Sequence, residues 1–347
     1  MNILITGATG FLGTNLVKRL VNEEHNVYLL VRSKKKLEAL YENLPQERHG
    51  QIHVVEGDLL EKRLGIEADK VEQLKGEIDA IYHTAAYLSF DEAERELVFD
   101  INLRGTERVL ELAKEIEARK LIHVSTAYTL GESTVGHETL HSTDHDFVNA
   151  YEESKCYAEH LVMSYQNELE VLIVRPAIII GDSLTGEADT TFGLYGILRT
   201  VQLLKKRSDR KQDGQVYRLL IERDTVSNLV PVNFVIDLLA LSLYNGEAGT
   251  IYHATNPNPP TNGQIFEAIQ EGLDFSQVEI VSYQDEDQLS EEEKKLNQPL
   301  EVFKQYLNRS ITFDRKNTET LLKETNTKDL HMNAEMLLRI VQGFIKS

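Results

Sequence analysis

Apolar side chains fill Ile3-Leu4-Ile5, recur at Phe11, Leu12, Val17, Leu20 and Val21, and run together again through 26–31. The two runs have the length of buried strands, and the spacing between them marks one face of a helix, so the chain opens as strand, helix, strand. The same alternation predicts strands over 51–56 and 80–83, a helix over 97–115, a strand over 120–125, a helix over 151–167 and a strand over 171–180. Apolar, β-branched strands alternating with helices build an α/β fold with a doubly wound parallel sheet covered on both faces. Beyond Gly181 the rhythm breaks. Residues 183–230 mix polar loops with a helix over 196–206, a helix starts near Val235, and a last apolar strand covers 249–254. Asn256-Pro257-Asn258-Pro259-Pro260 ends that strand. From Asn262 on the pattern is helical and charged, with Ser290-Glu291-Glu292-Glu293 as a capped helix start. We therefore expect residues 1–181 and 230–256 to form the sheet domain, and 182–229 and 257–347 a smaller, mainly helical, substrate-binding lid.

Composition narrows the field. A chain of 347 residues with 41% hydrophobic content buries a large core. The net charge of −19 repels nucleic acid and anionic membrane surfaces. The first strand begins at residue 2, and no apolar run approaches the ~20 residues of a bilayer span, so the expected location is cytoplasmic with no membrane span. Cys156 is the one cysteine, which excludes an internal disulfide, and its place inside a helix suits a small buried hydrophobe.

Candidate chemistry begins at Gly7-Ala8-Thr9-Gly10-Phe11-Leu12-Gly13, a glycine-spaced turn between strand and helix that suits a dinucleotide pyrophosphate. Gly7 allows the tight turn, Gly10 lets backbone N–H groups approach phosphate, and Gly13 lets helix and strand pack closely. Thr9, Phe11 and Leu12 complete the expected cofactor turn. Arg32 ends the second strand where an NAD binder would carry an acid, and Ser33-Lys34-Lys35-Lys36 follow, which favours the 2′-phosphate of NADP. Asp58 and Leu59 follow the third strand, where they either meet the adenine or cap a helix.

Tyr151 and Lys155 stand four apart at the start of a helix and share a face. An ammonium beside a phenol favours the phenolate, so the pair is an acid/base candidate in which Lys155 also binds the nicotinamide ribose. The strand ending at Val124 delivers Ser125-Thr126 to the sheet's carboxyl edge, where a hydroxyl can hold a substrate oxygen. His137, His141 and His145 recur beside Asp144 and Asp146 in a loop without helical period, and no metal site is expected.

Gly7/Gly10/Gly13, Thr126, Tyr151 and Lys155, in that order, resemble the extended short-chain dehydrogenase/reductase family as far as about Ala254. His83-Thr84-Ala85-Ala86, Asn102-Leu103-Arg104-Gly105-Thr106 and Arg175-Pro176-Ala177 support the resemblance. It implies a Rossmann sheet, with Ala85, Ala86, Arg175 and Pro176 near the cofactor together with Tyr151 and Lys155. It also implies Thr126 as the substrate-oxygen ligand, with Ser125 as the alternative. Gly57-Asp58-Leu59-Leu60-Glu61-Lys62-Arg63-Leu64-Gly65, Ala85-Ala86-Tyr87-Leu88-Ser89-Phe90 and Asn228-Leu229-Val230-Pro231-Val232 look like the thioester-reductase and fatty-acyl reductase branch. The implied activity is NADPH-dependent reduction of an acyl thioester, carried by coenzyme A or an acyl carrier protein, to an aldehyde or alcohol.

Lys205-Lys206-Arg207 through Lys211 would either bind the donor's phosphates or form a solvated helix end. Leu194, Tyr195, Ile197 and Leu198 would line an acyl channel or simply pack. The helices over 97–115 and 151–167 would pair in a homodimer, as in many members. The rival readings are a nucleotide-sugar epimerase or dehydratase, a hydroxysteroid-like alcohol dehydrogenase, and a non-catalytic NADP sensor.

Overall fold

The computed structural model describes residues 1–32, 35–42, 44–190, 193–212 and 214–346. In chain order the strands are β1 (Asn2–Thr6), β2 (Asn26–Val31), β3 (Ile52–Glu56), β4 (Ala80–His83), β5 (Lys120–Val124), β6 (Val135–Gly136) and β7 (Glu170–Pro176). There follow β8 (Ile178–Ile180), β9 (Tyr217–Leu220), β10 (Leu229–Pro231), β11 (Ile251–Ala254), β12 (Val278–Val281) and β13 (Thr312–Phe313). The chain divides into two compact units. The first holds Met1–Pro176, Val235–Ala254 and Phe313–Asp329, and the second holds Ala177–Phe234, Thr255–Thr312 and Leu330–Ser347.

The first unit is built on one seven-stranded sheet in the order β11-β7-β5-β4-β1-β2-β3. Every neighbouring pair is parallel. Leu4, Ile81, Leu121, Val171 and Ile173 bury one face against Val109, Leu110, Leu112, Ala113 and Val162, which belong to the helices α5 and α6 defined below. The doubly wound Rossmann sheet is the expected one. From β1 the chain moves outward to β2 and β3, then returns to β4 on the other side of β1. The switch between β1 and β4 leaves their carboxyl ends diverging, which is where open α/β sheets bind ligands.

Helices of this unit include α1 (Phe11–Asn22), α2 (Lys35–Glu42), α3 (Ala68–Leu74), α4 (Arg95–Phe99), α5 (Gly105–Glu115), α6 (Ala150–Ser164), most of Val232–Asn245 and Lys316–Glu324. The helix expected over 97–115 is interrupted: Asp100–Arg104 forms a π turn between α4 and α5. Such an insertion leaves the apolar spacing on either side intact, so periodicity does not reveal it. Phe313–Asp329 lies in the first unit rather than with the rest of 257–347. The Glu138 carboxylate holds it there, accepting from the backbone N–H of His253 on β11 at 2.8 Å, from Asn317 N at 2.5 Å and from Thr318 Oγ1 at 2.6 Å.

The strand expected over 171–180 is two strands. β7 ends at Pro176, and β8 pairs in parallel with β10 in the second unit. That unit adds the parallel pair β9 and β12 and is otherwise mainly helical, with α7 (Leu194–Lys211) and α9 (Asn262–Leu273) separated in sequence by α8 (Val232–Asn245). Leu194, Tyr195, Ile197 and Leu198 are buried in its core with Phe266, Ile269 and Val341. Ser290 caps the helix Glu291–Asn297 through a capping box with Glu293. Among the described residues no helix is long and apolar enough to cross a membrane.

Candidate active site

At the switch point Gly7 has φ +75°, and a Cβ there would come within 2.6 Å of Ala85 N and 2.7 Å of Thr84 Oγ1. Only glycine fits this approach of the first turn to the segment after β4. A Cβ on Gly13 would meet Gly7 O at 2.1 Å, so α1 packs directly on the turn. Gly10 is less constrained, with its nearest atom at 3.4 Å, and it forms the N-cap of α1 without a side-chain cap. Thr9, Phe11 and Leu12 are partly exposed around it. An uncapped helix start on a glycine turn fits a dinucleotide pyrophosphate.

Arg32 follows β2 and is exposed. Ser33 and Lys34 lie outside the described residues, as do the side chains of Lys35 and Lys36. The Asp58 carboxylate accepts from Leu60 N at 3.0 Å, which shapes its own turn and is neither a helix cap nor a barrier to a ligand at the other oxygen. Leu59 approaches Gly105, where an added Cβ would meet its Cβ at 3.3 Å. Ala86 follows Ala85 in the segment that leads to Tyr87.

Tyr151 lies in the first turn of α6, whose N-cap Asn149 accepts from Glu152 N at 2.9 Å. Phe90 meets the Tyr151 ring edge-on at 6.5 Å, and Arg95 grips Glu153 through two 2.8 Å bonds. Asn102, in the π turn, donates to Ser154 Oγ at 3.0 Å, and Ser154 Oγ donates to Tyr151 O at 2.8 Å. Asn102 also exchanges bonds with the Tyr87 backbone. This first turn is therefore held from three directions.

Lys155 is 1% exposed, and its Nζ donates to Val124 O at 2.6 Å and stands 3.5 Å from His123 Nε2. Desolvation lowers its pKa to about 8 despite the nearby Glu159 carboxylate. The phenol of Tyr151 moves the other way. Desolvation and then Glu152 push it above the ordinary tyrosine value, so the expected depression by Lys155 is not found. The ammonium instead turns its close bond to the Val124 carbonyl. Thr126 is buried one residue past Ser125, and its Oγ1 accepts from Tyr128 N at 3.3 Å. Ser125 Oγ is buried without a hydrogen-bond partner.

Arg175 is committed elsewhere. It forms a fully buried pair with Glu159 at 2.8 and 2.6 Å and also donates to the carbonyls of His137 and Thr139. Pro176 O accepts from Ala127 N at 2.9 Å. His141 bonds Thr129 Oγ1 at 2.9 Å, and burial lowers its pKa to about 4. His137 faces Asp314 at 3.5 Å, and His145 packs on Phe147. Cys156 is buried, and its thiol is pushed up to about 12. In the second unit, Lys205 donates to Leu273 O while Arg207 and Lys211 pair with Glu292, so much of the positive run answers its own neighbours.

Sequence reasoning missed two groups that the structure brings to this centre. His123 occupies an interior strand position whose apolar neighbours concealed it, and Glu159 offered no spacing with Arg175 that sequence alone could read. A histidine in the middle of a buried strand was the available signal.

A family model described as "Male sterility protein", of NAD-binding type, matches residues 5–239. "Fatty acyl-CoA reductase wat" of Drosophila melanogaster is 27% identical over 289 residues, covering 70% of this chain and 54% of that protein. A linear gramicidin synthase chain of Brevibacillus parabrevis is 28% identical over 294 residues, 79% of this chain and 6% of that protein. The chain thus spans about half the length of the first relative and a small part of the second. Among solved structures, the terminal R domain from the myxalamid PKS-NRPS biosynthetic pathway aligns with a TM-score of 0.81 at 26% identity, covering 99% of this chain and 90% of that one.

Proposed function

Because the chain belongs to the male sterility protein family, within the extended short-chain dehydrogenase/reductases, we propose that it is an NADPH-dependent reductase of acyl thioesters. The donor is an acyl-CoA or a carrier-bound acyl group, and the first product is an aldehyde. The observation that carries this reading is the buried Lys155 ammonium, tied to the carbonyl just before Ser125-Thr126 and one helical turn from Tyr151. The names of the similar proteins, a fatty acyl-CoA reductase and a synthase terminal domain, favour a thioester over other carbonyls.

NADPH, when bound, supplies the hydride. Gly7, Thr9, Gly10, Phe11, Leu12 and Gly13 hold its pyrophosphate at the start of α1, Arg32 meets the 2′-phosphate, and Asp58 and Leu59 meet the adenine. Ala85 and Ala86, with the backbone at Arg175 and Pro176, border the nicotinamide half. Lys155 binds the nicotinamide ribose. Thr126 donates to the substrate carbonyl oxygen, and Tyr151 gives its proton there as hydride adds at carbon, forming a hemithioacetal. Its C–S bond then breaks, the hydroxyl proton leaves with the departing thiol, and solvent reprotonates Tyr151. Acyl thioester, NADPH and a proton thus give aldehyde, free thiol and NADP⁺. A phenol held protonated at neutral pH is ready as the acid for the first step. Selection of the acyl group falls to residues 182–229 and 257–347.

The test follows NADPH absorbance with acyl-CoAs of several lengths, and with aldehydes and nucleotide sugars as competitors for the assignment. Oxidation of NADPH by an acyl-CoA, lost about 10²–10⁴-fold in Tyr151→Phe with cofactor binding retained, is the expected result. Turnover of nucleotide sugars alone, or undiminished activity in Tyr151→Phe, would reject the proposal.

A further inference from the structure

Hydrogen-bond direction fixes the protonation of two buried imidazoles beside Lys155. Thr106 Oγ1 donates to Asn102 O at 2.6 Å, so it must accept at 2.9 Å from His83 Nε2, which therefore carries the proton. Neutral His83 then has a bare Nδ1, which accepts from Thr6 Oγ1 at 2.7 Å. Every polar atom of that ring is satisfied. His123 differs. Its ring packs on His83 at 5.3 Å, its Nε2 faces Lys155 Nζ, and its Nδ1 is buried with no partner.

An ammonium presents only donors, so His123 Nε2 must be bare toward it, and the ring proton must sit on the unpartnered Nδ1. A buried, unsatisfied N–H is rare and costly in native proteins, and a leucine or methionine at 123 would avoid it. The fold gains nothing from this histidine that an apolar residue would not supply. What the histidine adds is a neutral acceptor aimed at Lys155.

We propose that His123 is a positioning residue for Lys155: its bare Nε2 and the Val124 carbonyl hold two of the three ammonium protons, leaving the third directed to the bound cofactor. The inference rests on the reading of Lys155 as a cofactor ligand. The titratable groups that face Lys155 are His123 on β5, His83 on β4 and Glu159 on α6, the last already neutralised by Arg175 on β7, with Tyr151 one turn earlier on α6. Both histidines are kept neutral by burial and by Lys155 itself, and His83 titrates at about 3. Within this set Lys155 is the group that changes charge near pH 8.

The experiment measures the NADPH dissociation constant from pH 6 to 10, together with thermal stability, for the wild type, His123→Gln and His123→Leu. Glutamine returns an oxygen acceptor near Nε2, whereas leucine returns only volume. The expected result is that His123→Leu melts no lower than the wild type yet binds NADPH about 10-fold more weakly, with the alkaline loss of binding beginning at lower pH. His123→Gln should recover most of the affinity and the wild-type pH profile. A His123→Leu protein with unchanged binding at every pH would overturn the proposal, as would a lowered melting temperature with a loss of affinity independent of pH. Neither measurement requires turnover, so a protein that binds NADPH but reduces some other carbonyl fails the substrate reading and leaves this test intact.

Discussion

Lys155 and Arg175 are both cations buried in the first unit, 1% and 0% exposed; Lys155 reaches from α6 to β5, and Arg175 reaches from β7 to Glu159 on α6. Their surroundings differ in one respect. Arg175 spends its guanidinium on two Glu159 oxygens and two carbonyls, with His141 and His253 nitrogens within 3.4 Å. Lys155 has one short bond to a carbonyl and one long contact to an imidazole, and neither partner carries a negative charge. A buried charge whose donors are all matched holds a fold together, whereas one left partly unmatched is held for something that arrives later. The contrast is the one expected if Arg175 serves the fold and Lys155 the proposed chemistry.

Removing each charge in turn tells the two cations apart. Lys155→Met should cost about 10²-fold or more in turnover while leaving the protein at least as stable, because the lost side chain was buried at a desolvation cost. Arg175→Met should destabilise the fold by about 3–5 kcal/mol, since it strands the Glu159 carboxylate in the core. Urea unfolding of both variants checks the pair. If Lys155→Met were the less stable of the two, the distinction drawn from hydrogen-bond matching would be wrong.

A subtler effect follows from the sign of the Lys155 shift. Its pKa in the fold, about 8, lies below the ordinary lysine value of 10.5. Between those pH values the unfolded chain binds a proton that the folded one does not, so unfolding becomes harder as pH rises through the window. This contribution is absent below about pH 8 and complete near pH 10.5, amounting to on the order of 3 kcal/mol. In the proposed role of Lys155 as a cofactor ligand, binding should decline as the ammonium loses its proton near pH 8. Lys155→Met lacks the linkage, so its stability advantage over the wild type should shrink on going from about pH 7.5 to about pH 10. A difference between the two proteins that stays constant with pH would contradict the assignment.

The two sites were unequally legible in the sequence. Tyr151, Lys155 and Thr126 could be singled out as candidates because a four-residue helical spacing and a strand end are local features. The partners that decide the lysine's state, His123 and Val124 O, and the burial that raises the phenol depend on which strand lies beside which helix, whereas Glu152, next to Tyr151 on the same helix, is local. The same limit applies to the fold. β1 to β5 showed as apolar runs, but 171–180 read as one strand because its apolar residues resume immediately after Arg175-Pro176. Arg175-Pro176 was the available mark, a charge and a missing N–H inside that run. β9 and β12, four residues each, were too short to stand out from the polar stretches around them.

The smallest expected effect concerns a cation that is neither buried nor matched to a carboxylate in the core. Arg32 is exposed at the end of β2, and that exposure leaves it no structural duty comparable to that of Arg175. In its proposed role it acts only when a 2′-phosphate is there to accept a charge-assisted bond, so the deletion should be invisible to stability. Arg32→Ala is expected to weaken NADPH about 10-fold and NADH hardly at all, with an unchanged melting temperature. If Arg32 sets a preference for NADPH, raising the salt concentration should erode it, because an exposed pair is screened. Equal losses for the two cofactors would place the origin of any preference elsewhere than the 2′-phosphate.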